Sequence, residues 1–216
     1  MVREVFGDKP LPGVLVVDRY AGYNRVPCPM QYCYAHLLRD LTDLDKDFPD
    51  NPEVTRFVAT LAPLLAAAMS LRGLKLSARQ FRKQAKALRQ QIQAVVQQPA
   101  RHPAVQTYQG IFRDKAHRLY HWAANARVPA DNNLAERELR PLIIARKISF
   151  GSHGQRGLRT REVLMTVLHT LRKRTADPAA AFRSFLDRLA ANPNADPFQL
   201  LFGKTSPSPP SLRGCE

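Results

Sequence analysis

Apolar residues form one short continuous run near the start of the sequence. Gly13 to Val17 reads Gly-Val-Leu-Val-Val and lies between Pro12 and Asp18. A run rich in β-branched residues, without polar alternation, predicts a strand buried on both faces. Such a strand needs hydrogen-bonding partners, and no other segment shows the pattern of a strand. We therefore expect its neighbours to come from sequence that the chain does not contain or from another molecule.

The rest of the chain has mainly helical periodicity. Four helix starts are predicted from capping residues: Asn51 before Pro52, Ser77 with Gln80, Asp177 before Pro178, and Thr160. The apolar stripes predicted to face inward are Phe81, Leu88, Ile92 and Val95; Val163, Leu164, Val167, Leu168 and Leu171; and Phe182, Phe185, Leu186 and Leu189.

Two segments lack this periodicity. Ser149 to Arg161 contains three glycines and three arginines, which predicts an exposed loop able to approach phosphates closely. Ser206 to Glu216 contains three prolines and three serines, which is typical of disorder. We therefore expect one domain over residues 1–202 and a disordered tail over residues 203–216.

Composition narrows the class of protein. The 216 residues are 44% hydrophobic and 24% charged, as in soluble globular proteins, and the formal net charge of +15 favours a polyanionic partner, nucleic acid first. Three cysteines imply no disulfide framework, which fits a reducing, cytoplasmic setting. The apolar stretch Phe57 to Met69 is too short for a bilayer span, so no membrane association is expected.

Two acids are candidates for chemistry. Asp18 follows the predicted strand directly, and the carboxyl ends of strands are where α/β sheets present their active groups. Asp18 could equally be an ordinary turn residue. Glu136 can project from the first turn of a helix, but Asn133 and Glu136 also have the spacing of a capping box that needs no metal.

Four blocks of sequence resemble the transposases of the bacterial insertion-sequence-66 family. They occur in the family's order: Val16 to Asn24, which resembles the second-aspartate block; Cys33 to Leu41, the Cys-x-x-His block; Asp131 to Arg137, the catalytic-glutamate block; and its continuation through Leu139-Arg140-Pro141, Arg146-Lys147 and Ser149-Phe150-Gly151.

The resemblance implies an α/β fold of the RNase H-like class, predominantly helical here because of a helical insertion over about residues 31–125 and incomplete at its N-terminus. Asp18 and Glu136 would be the second and third acids of a DDE triad that binds two Mg²⁺ or Mn²⁺ ions. Such a pair of ions can clamp the attacking and leaving oxygens of a phosphodiester. The implied reactions are DNA strand cleavage and strand transfer between transposon ends and target DNA.

The family's first aspartate lies on an earlier strand, and the sequence begins just before the second. We therefore expect a C-terminal part of the transposase that is inactive alone. The alternatives are a non-catalytic basic DNA-binding remnant and a subunit completed by a separate upstream polypeptide. A complete enzyme is expected to be an oligomer.

Other side chains could support the acids. Cys33 and His36 supply only two of the four ligands of a structural zinc site, so we favour a packing role for Cys33 and a supporting role for His36. Asp131, Asn132 and Asn133 are further supporting candidates.

Several cations lie in or shortly after the glutamate block and are predicted to contact DNA phosphates, although a merely solvated basic surface is the alternative. They are Arg137, Arg140, Arg146, Lys147, Arg156, Arg159 and Arg161. A rival basic surface lies on the predicted helix from Ser77 to Gln98, with Arg79, Arg82, Lys83, Lys86 and Arg89.

Overall fold

A computed structural model describes residues 9–152 and 154–203 of the chain. The chain divides into two compact units, Met1–Leu139 and Arg140–Glu216. The helices of the described part are α1 (Tyr34–Asp47), α2 (Pro52–Ser70), α3 (Ala78–Val96), α4 (Pro103–Asp114), α5 (His121–Ala124), α6 (Asn133–Ile148), α7 (Gln155–Arg174), α8 (Pro178–Ala191) and α9 (Pro197–Phe202). Short 3₁₀ helices lie at Ala21–Arg25, Leu71–Gly73 and Ala116–Arg118.

The first unit contains a two-stranded parallel sheet. Strand β1 (Leu15–Val17) confirms the last three residues of the predicted strand, and it pairs with β2 (Met30–Tyr32). The expectation that all partners of β1 lie outside the chain is therefore wrong for one edge. The sequence did not reveal β2 because it is three residues long and Gln31 interrupts its apolar pattern.

The other edge of β1 pairs with no strand among residues 9–152 and 154–203. Val17 is buried, but Leu15 and Val16 are only half-buried. The prediction of burial on both faces is thus wrong for two of the three strand residues, because β1 has a strand neighbour on only one edge among the described residues.

The core of the first unit lies between the sheet and helices α1 to α5. Two predicted helix starts are confirmed here. Asn51 Oδ1 accepts the N–H groups of Glu53 and Val54 at 3.0 and 3.1 Å, and Ser77 with Gln80 forms a reciprocal capping box. These contacts satisfy N–H groups that the first helical turn leaves free.

A buried polar network fastens the end of the helical segment to the sheet. Leu119 O accepts hydrogen bonds from Tyr34 Oη at 2.6 Å, from Trp122 Nε1 at 3.0 Å and from Gln31 Nε2 at 3.2 Å. Gln31 Oε1 in turn accepts the backbone N–H of Trp122 at 3.3 Å. Because each buried polar group finds a partner, the segment after α4 is fixed against β2 and α1.

The second unit consists of the C-terminal part of α6 with α7, α8 and α9. Asp177 caps α8 as predicted, since its Oδ1 accepts the N–H of Ala180 at 2.9 Å. Helix α7 begins at Gln155 rather than at Thr160, so the predicted loop is wrong for Gln155 to Arg161. Leu158, Arg159 and their neighbours favour a helix enough to outweigh the roughly 1 kcal/mol that one internal glycine costs.

The predicted inward stripes of the second unit are only partly correct. Leu171 and Phe185 are buried, whereas Val163, Leu164 and Leu186 are exposed. Helical periodicity identifies the apolar side of a helix, but it does not show whether another element covers that side.

One described stretch, Pro52–Gly73, is long and apolar enough to cross a membrane by length and composition alone. Core helices of soluble proteins meet the same criterion, and here Val54, Phe57, Leu61 and Leu65 are buried in the core of the first unit. The stretch is therefore weak support for a membrane span. The predicted disordered tail, apart from Gly203, lies outside the described residues.

Candidate functional site

Asp18 lies at the carboxyl end of the sheet. It follows Val17, the last residue of β1, which is in register with Tyr32 at the end of β2. Asp18 Oδ1 accepts the backbone N–H of Tyr20 at 3.0 Å, so the residue does form a local turn. Its other carboxylate oxygen has no hydrogen bond or ion pair to the described residues, which leaves it available for a ligand.

Glu136 lies in the first turn of α6, as the sequence predicted. The capping box with Asn133 is wrong, because Asn133 is already the first helical residue. Its N–H donates to Asp131 Oδ1 at 2.9 Å, and the N–H of Glu136 donates to the backbone oxygen of Asn132 at 3.1 Å. The Glu136 carboxylate is consequently not used as a cap and contacts another element.

The Cys-x-x-His segment contacts both the end of β1 and the start of α6. Cys33 donates its N–H to Val17 O at 2.8 Å, and its Sγ accepts the N–H of Asn132 at 3.3 Å. One turn further along α1, His36 Nε2 lies 3.5 Å from Glu136 Oε1. The end of β1, the start of α1 and the start of α6 therefore meet at one place, although Cys33 and Asn132 are 99 positions apart in sequence.

Cys33 has the properties of a packing residue. Its side chain is 1% exposed, and burial raises the pKa of its thiol above the ordinary value of 9.0. The Cys33 sulfur accepts a hydrogen bond from the Asn132 N–H. A buried thiol with such a contact behaves as a small packing residue rather than as a zinc ligand, which would be a thiolate.

Two buried polar atoms at this junction have no hydrogen-bond partner in the structure, His36 Nδ1 and Asn132 Oδ1. Unsatisfied buried polar groups are uncommon and costly, so they mark places where a ligand or an ion could bind. The sequence pointed to His36 and Asn132 as supporting residues, but it could not show that these two atoms lack a hydrogen-bond partner among the described residues.

The oxygen atoms at the junction are of the kind that bind a hard divalent cation, but they are few. Asp18 and Glu136 offer carboxylate oxygens and Asn132 offers an amide oxygen, which are the ligands that Mg²⁺ prefers. Among the described residues, no group of three or more His, Cys, Asp or Glu side chains could hold a metal ion.

The profile of the IS66 transposase family matches residues 1–160, about three quarters of the chain. The chain belongs to this family. A curated relative, the uncharacterized protein y4jD of Sinorhizobium fredii, is 24% identical over 195 residues, which cover 83% of this chain and 38% of that protein. The chain thus spans less than half the length of this relative. No solved structure matches the chain significantly.

Exposed cations lie at the end of the block Asp131 to Arg137 and after it. The side chains of Arg137, Arg140, Arg146, Lys147, Arg156 and Arg159 are all exposed. Arg161 is half-buried, and its Nη2 donates to Ser149 Oγ and, at 3.0 Å, to Gly151 O. Arg161 therefore helps to hold the turn between α6 and α7, and the assignment of these cations to DNA stays a prediction.

The cations of the rival surface on α3 are likewise all exposed. Arg89 also lies over the ring of Tyr120, with its guanidinium carbon 5.0 Å from the ring centroid. Nothing in their packing distinguishes the remaining four from a solvated basic face.

A third group of cations, beside the sheet, could not be recognised from the sequence. Arg19, Arg113 and Lys115 line a cleft of about 560 Å³ together with Asn24 and Tyr32. These residues come from three separate stretches of sequence, so only their meeting in the fold defines the cleft.

Proposed function

We propose that this IS66-family chain carries the second and third acids, Asp18 and Glu136, of an RNase H-like DDE site that cleaves and joins DNA. The observation that supports the proposal most directly is the junction of β1, α1 and α6. It brings the glutamate block to the carboxyl end of the strand that Asp18 follows, through the contacts of Cys33 and His36.

The helical insertion accounts for the distance between the two acids in sequence. Helices α1 to α5 leave the sheet and return to it, and Tyr34 N donates to Ala130 O at 2.8 Å where the return segment reaches α1. An insertion folded around its own core keeps its ends together, so the acids can share a site without being close in sequence.

Asp18 and Glu136 would hold Mg²⁺ or Mn²⁺, with two ions in a complete site. Bound metal would supply the charge that activates the attacking oxygen and stabilises the leaving oxygen of a phosphodiester. In this chain, His36 contacts Glu136 and would orient its carboxylate, while Asn132 is held by Cys33 beside it.

A third acid would complete the site. The edge of β1 that has no strand partner in the described part of the chain is the place for a strand that carries it. We propose that this strand comes from upstream transposase sequence, and that the complete enzyme is oligomeric, acts on transposon ends and target DNA, and works in the cytoplasm.

The test uses Mn²⁺ binding and DNA cleavage by the purified chain, alone and mixed with the polypeptide encoded immediately upstream. Asp18→Asn and Glu136→Gln should each weaken Mn²⁺ binding measured by titration calorimetry, and each should abolish cleavage of DNA that carries the element's ends. Asp50→Asn removes one exposed carboxylate after α1 and should change neither measurement.

The alternatives give different results. A non-catalytic DNA-binding remnant would bind DNA unchanged in both acid variants and would not cleave in any mixture. Cleavage only in the mixture is the result expected of a chain whose third acid is supplied by the upstream polypeptide. Metal-dependent cleavage by the chain alone, lost in Asp18→Asn, would show that it needs no further acid and would contradict that part of the proposal.

A further inference from the structure

We propose that Arg118 and Lys115, beside a cleft next to the sheet, form a binding site for the phosphate backbone of DNA. Arg118 does not itself line the cleft, but it donates hydrogen bonds to two residues that do, Asn24 and Tyr32. The cleft lies between the 3₁₀ helix Ala21–Arg25, the end of α4 and the following turn. This inference rests on the proposed function, because it takes DNA as the ligand.

Arg118 is a half-buried cation with no carboxylate among its hydrogen-bond partners. Its Nη1 donates to Asn24 Oδ1 and, at 3.0 Å, to Tyr32 Oη, and its Nε donates to His117 Nε2 at 3.2 Å. The guanidinium carbon also lies 5.6 Å from the centroid of the Tyr32 ring. No carboxylate of the described residues pairs with it, whereas a partly buried charge is normally compensated by an opposite one.

The remaining terminal nitrogen of Arg118 is available for an anion. Nη2 makes no hydrogen bond to the described residues, while Nη1 and Nε fix the plane of the guanidinium. A fixed arginine fork with free N–H groups is suited to phosphate oxygens, and little side-chain entropy remains to be lost on binding.

Lys115 supplies a second cation on the same turn. Arg118 comes three positions after Lys115, and its N–H donates to Lys115 O at 2.8 Å, which closes a 3₁₀ turn. Side chains at this spacing lie on the same side of a 3₁₀ turn. Lys115 also lines the cleft and has no carboxylate partner among the described residues.

The other two cations are partly neutralised. Arg19 pairs with Asp40, and Arg113 Nε lies 3.1 Å from Asp114 Oδ1 in an exposed pair. Their contribution is therefore a weaker, longer-range attraction, and the specific contact is assigned to Arg118 and Lys115.

The location of the cleft connects it to the candidate acids. Tyr32, which accepts from Arg118 at its hydroxyl, ends β2 in register with Val17, the residue before Asp18. A DNA strand whose phosphate binds at Arg118 would pass the same carboxyl edge of the sheet that presents Asp18.

The experiment measures binding of the full chain to a short fluorescein-labelled DNA duplex by anisotropy, in EDTA and over a series of salt concentrations. Each phosphate contact contributes about 0.9 to the slope of log affinity against log salt, so Arg118→Gln should reduce the slope by about 1. Arg118→Gln combined with Lys115→Gln should reduce it by about 2. Arg183→Gln, which removes an exposed arginine from α8, is the matched control and should leave the slope unchanged.

The variants separate phosphate binding from a structural role. If Arg118 only holds the turn against Tyr32, Arg118→Gln will lower the melting temperature but leave the slope at the wild-type value, which would overturn the inference. The Lys115 side chain makes no hydrogen bond recorded in the structure, so Lys115→Gln tests the site even if Arg118→Gln fails to fold. An unchanged slope in Lys115→Gln would count against the proposed phosphate site.

Two further outcomes are informative. If the wild-type chain does not bind DNA at all, the proposed function itself fails, whereas wild-type binding with unchanged slopes in both variants contradicts only this inference. If Arg118→Gln loses binding to polyglutamate but not to DNA, the cleft recognises an acidic protein and the DNA assignment is wrong.

Discussion

The unit that ends at Leu139 encloses a continuous apolar core, whereas the unit that begins at Arg140 leaves many large apolar side chains in contact with solvent. In the first unit, residues from both strands and from α1 to α5 form one buried cluster. In the described part of the second unit, Leu171 and Phe185 are the buried apolar residues, while Ile143, Ile148 and Phe150 are exposed. The described part of the second unit therefore leaves much of its apolar side-chain surface uncovered.

Buried polar contacts differ in the same way. Gln31 and Gln109 are the buried polar residues of the described chain, and both belong to the first unit. The first unit is thus fixed by packing and by internal hydrogen bonds, and it provides the rigid support that a site at β1, α1 and α6 requires. The following predictions test this contrast, beginning with the largest effect.

Two leucine substitutions should differ strongly in cost. Leu65→Ala opens a cavity in the first unit and should lower the free energy of unfolding by about 2 to 5 kcal/mol, because Leu65 is fully buried. Leu164→Ala removes a side chain that is 42% exposed and should cost less than about 1 kcal/mol. Urea unfolding followed by circular dichroism measures both, and equal losses would contradict the contrast.

Gln31→Leu should destabilise the first unit although it makes the core more apolar. The substitution leaves the N–H of Trp122 without its acceptor and should cost about 1 to 3 kcal/mol. Gln84→Leu, on the exposed side of α3, is the control and should be nearly neutral. A Gln31→Leu protein as stable as the wild type would show that the polar network contributes little.

Helix caps allow the two units to be compared directly. Asn51 caps α2 in the first unit and Asp177 caps α8 in the second, each by accepting backbone N–H groups. Either alanine substitution should cost about 1 kcal/mol. If the units unfold separately, Asn51→Ala will shift one transition in a calorimetric scan and Asp177→Ala the other; a shift of the same single transition by both would mean that the units unfold together.

The smallest expected effect concerns pH. The N–H groups of His102 and Arg101 lower the pKa of Glu53 below its ordinary value of 4.5. A carboxylate with a lowered folded-state pKa stabilises the fold above its unfolded pKa, and this contribution is lost as the pH falls through the folded value. Wild-type stability should therefore decrease below about pH 4.5 more than that of Glu53→Gln, as measured by urea titrations at several pH values. Parallel pH profiles would show that these hydrogen bonds do not matter for stability.

Local signals in the sequence predicted the helix starts well. Asn51, Ser77 and Asp177 cap helices as expected, because a cap depends on a few adjacent residues. The start at Thr160 was wrong by five residues, since Gly154 and Gly157 suggested a loop although the helix tolerates Gly157.

Parts of the candidate site were predicted and others were not. The turn at Asp18 and the position of Glu136 in a first turn are local features, and the family membership rests on sequence blocks. The contact of His36 with Glu136 and the unsatisfied Asn132 Oδ1 could not be predicted, because they depend on how α1 and α6 approach each other.

The sequence by itself determined the helix caps, the strand before Asp18, the positive charge and the family. Each of these is set by neighbouring residues or by composition. Only the tertiary structure decided that β2 pairs with β1, that the first unit is packed and the second exposed, and that Arg118 reaches Tyr32. These features depend on contacts between distant segments, and hydrophobic periodicity along one segment contains no information about which other segment will cover it.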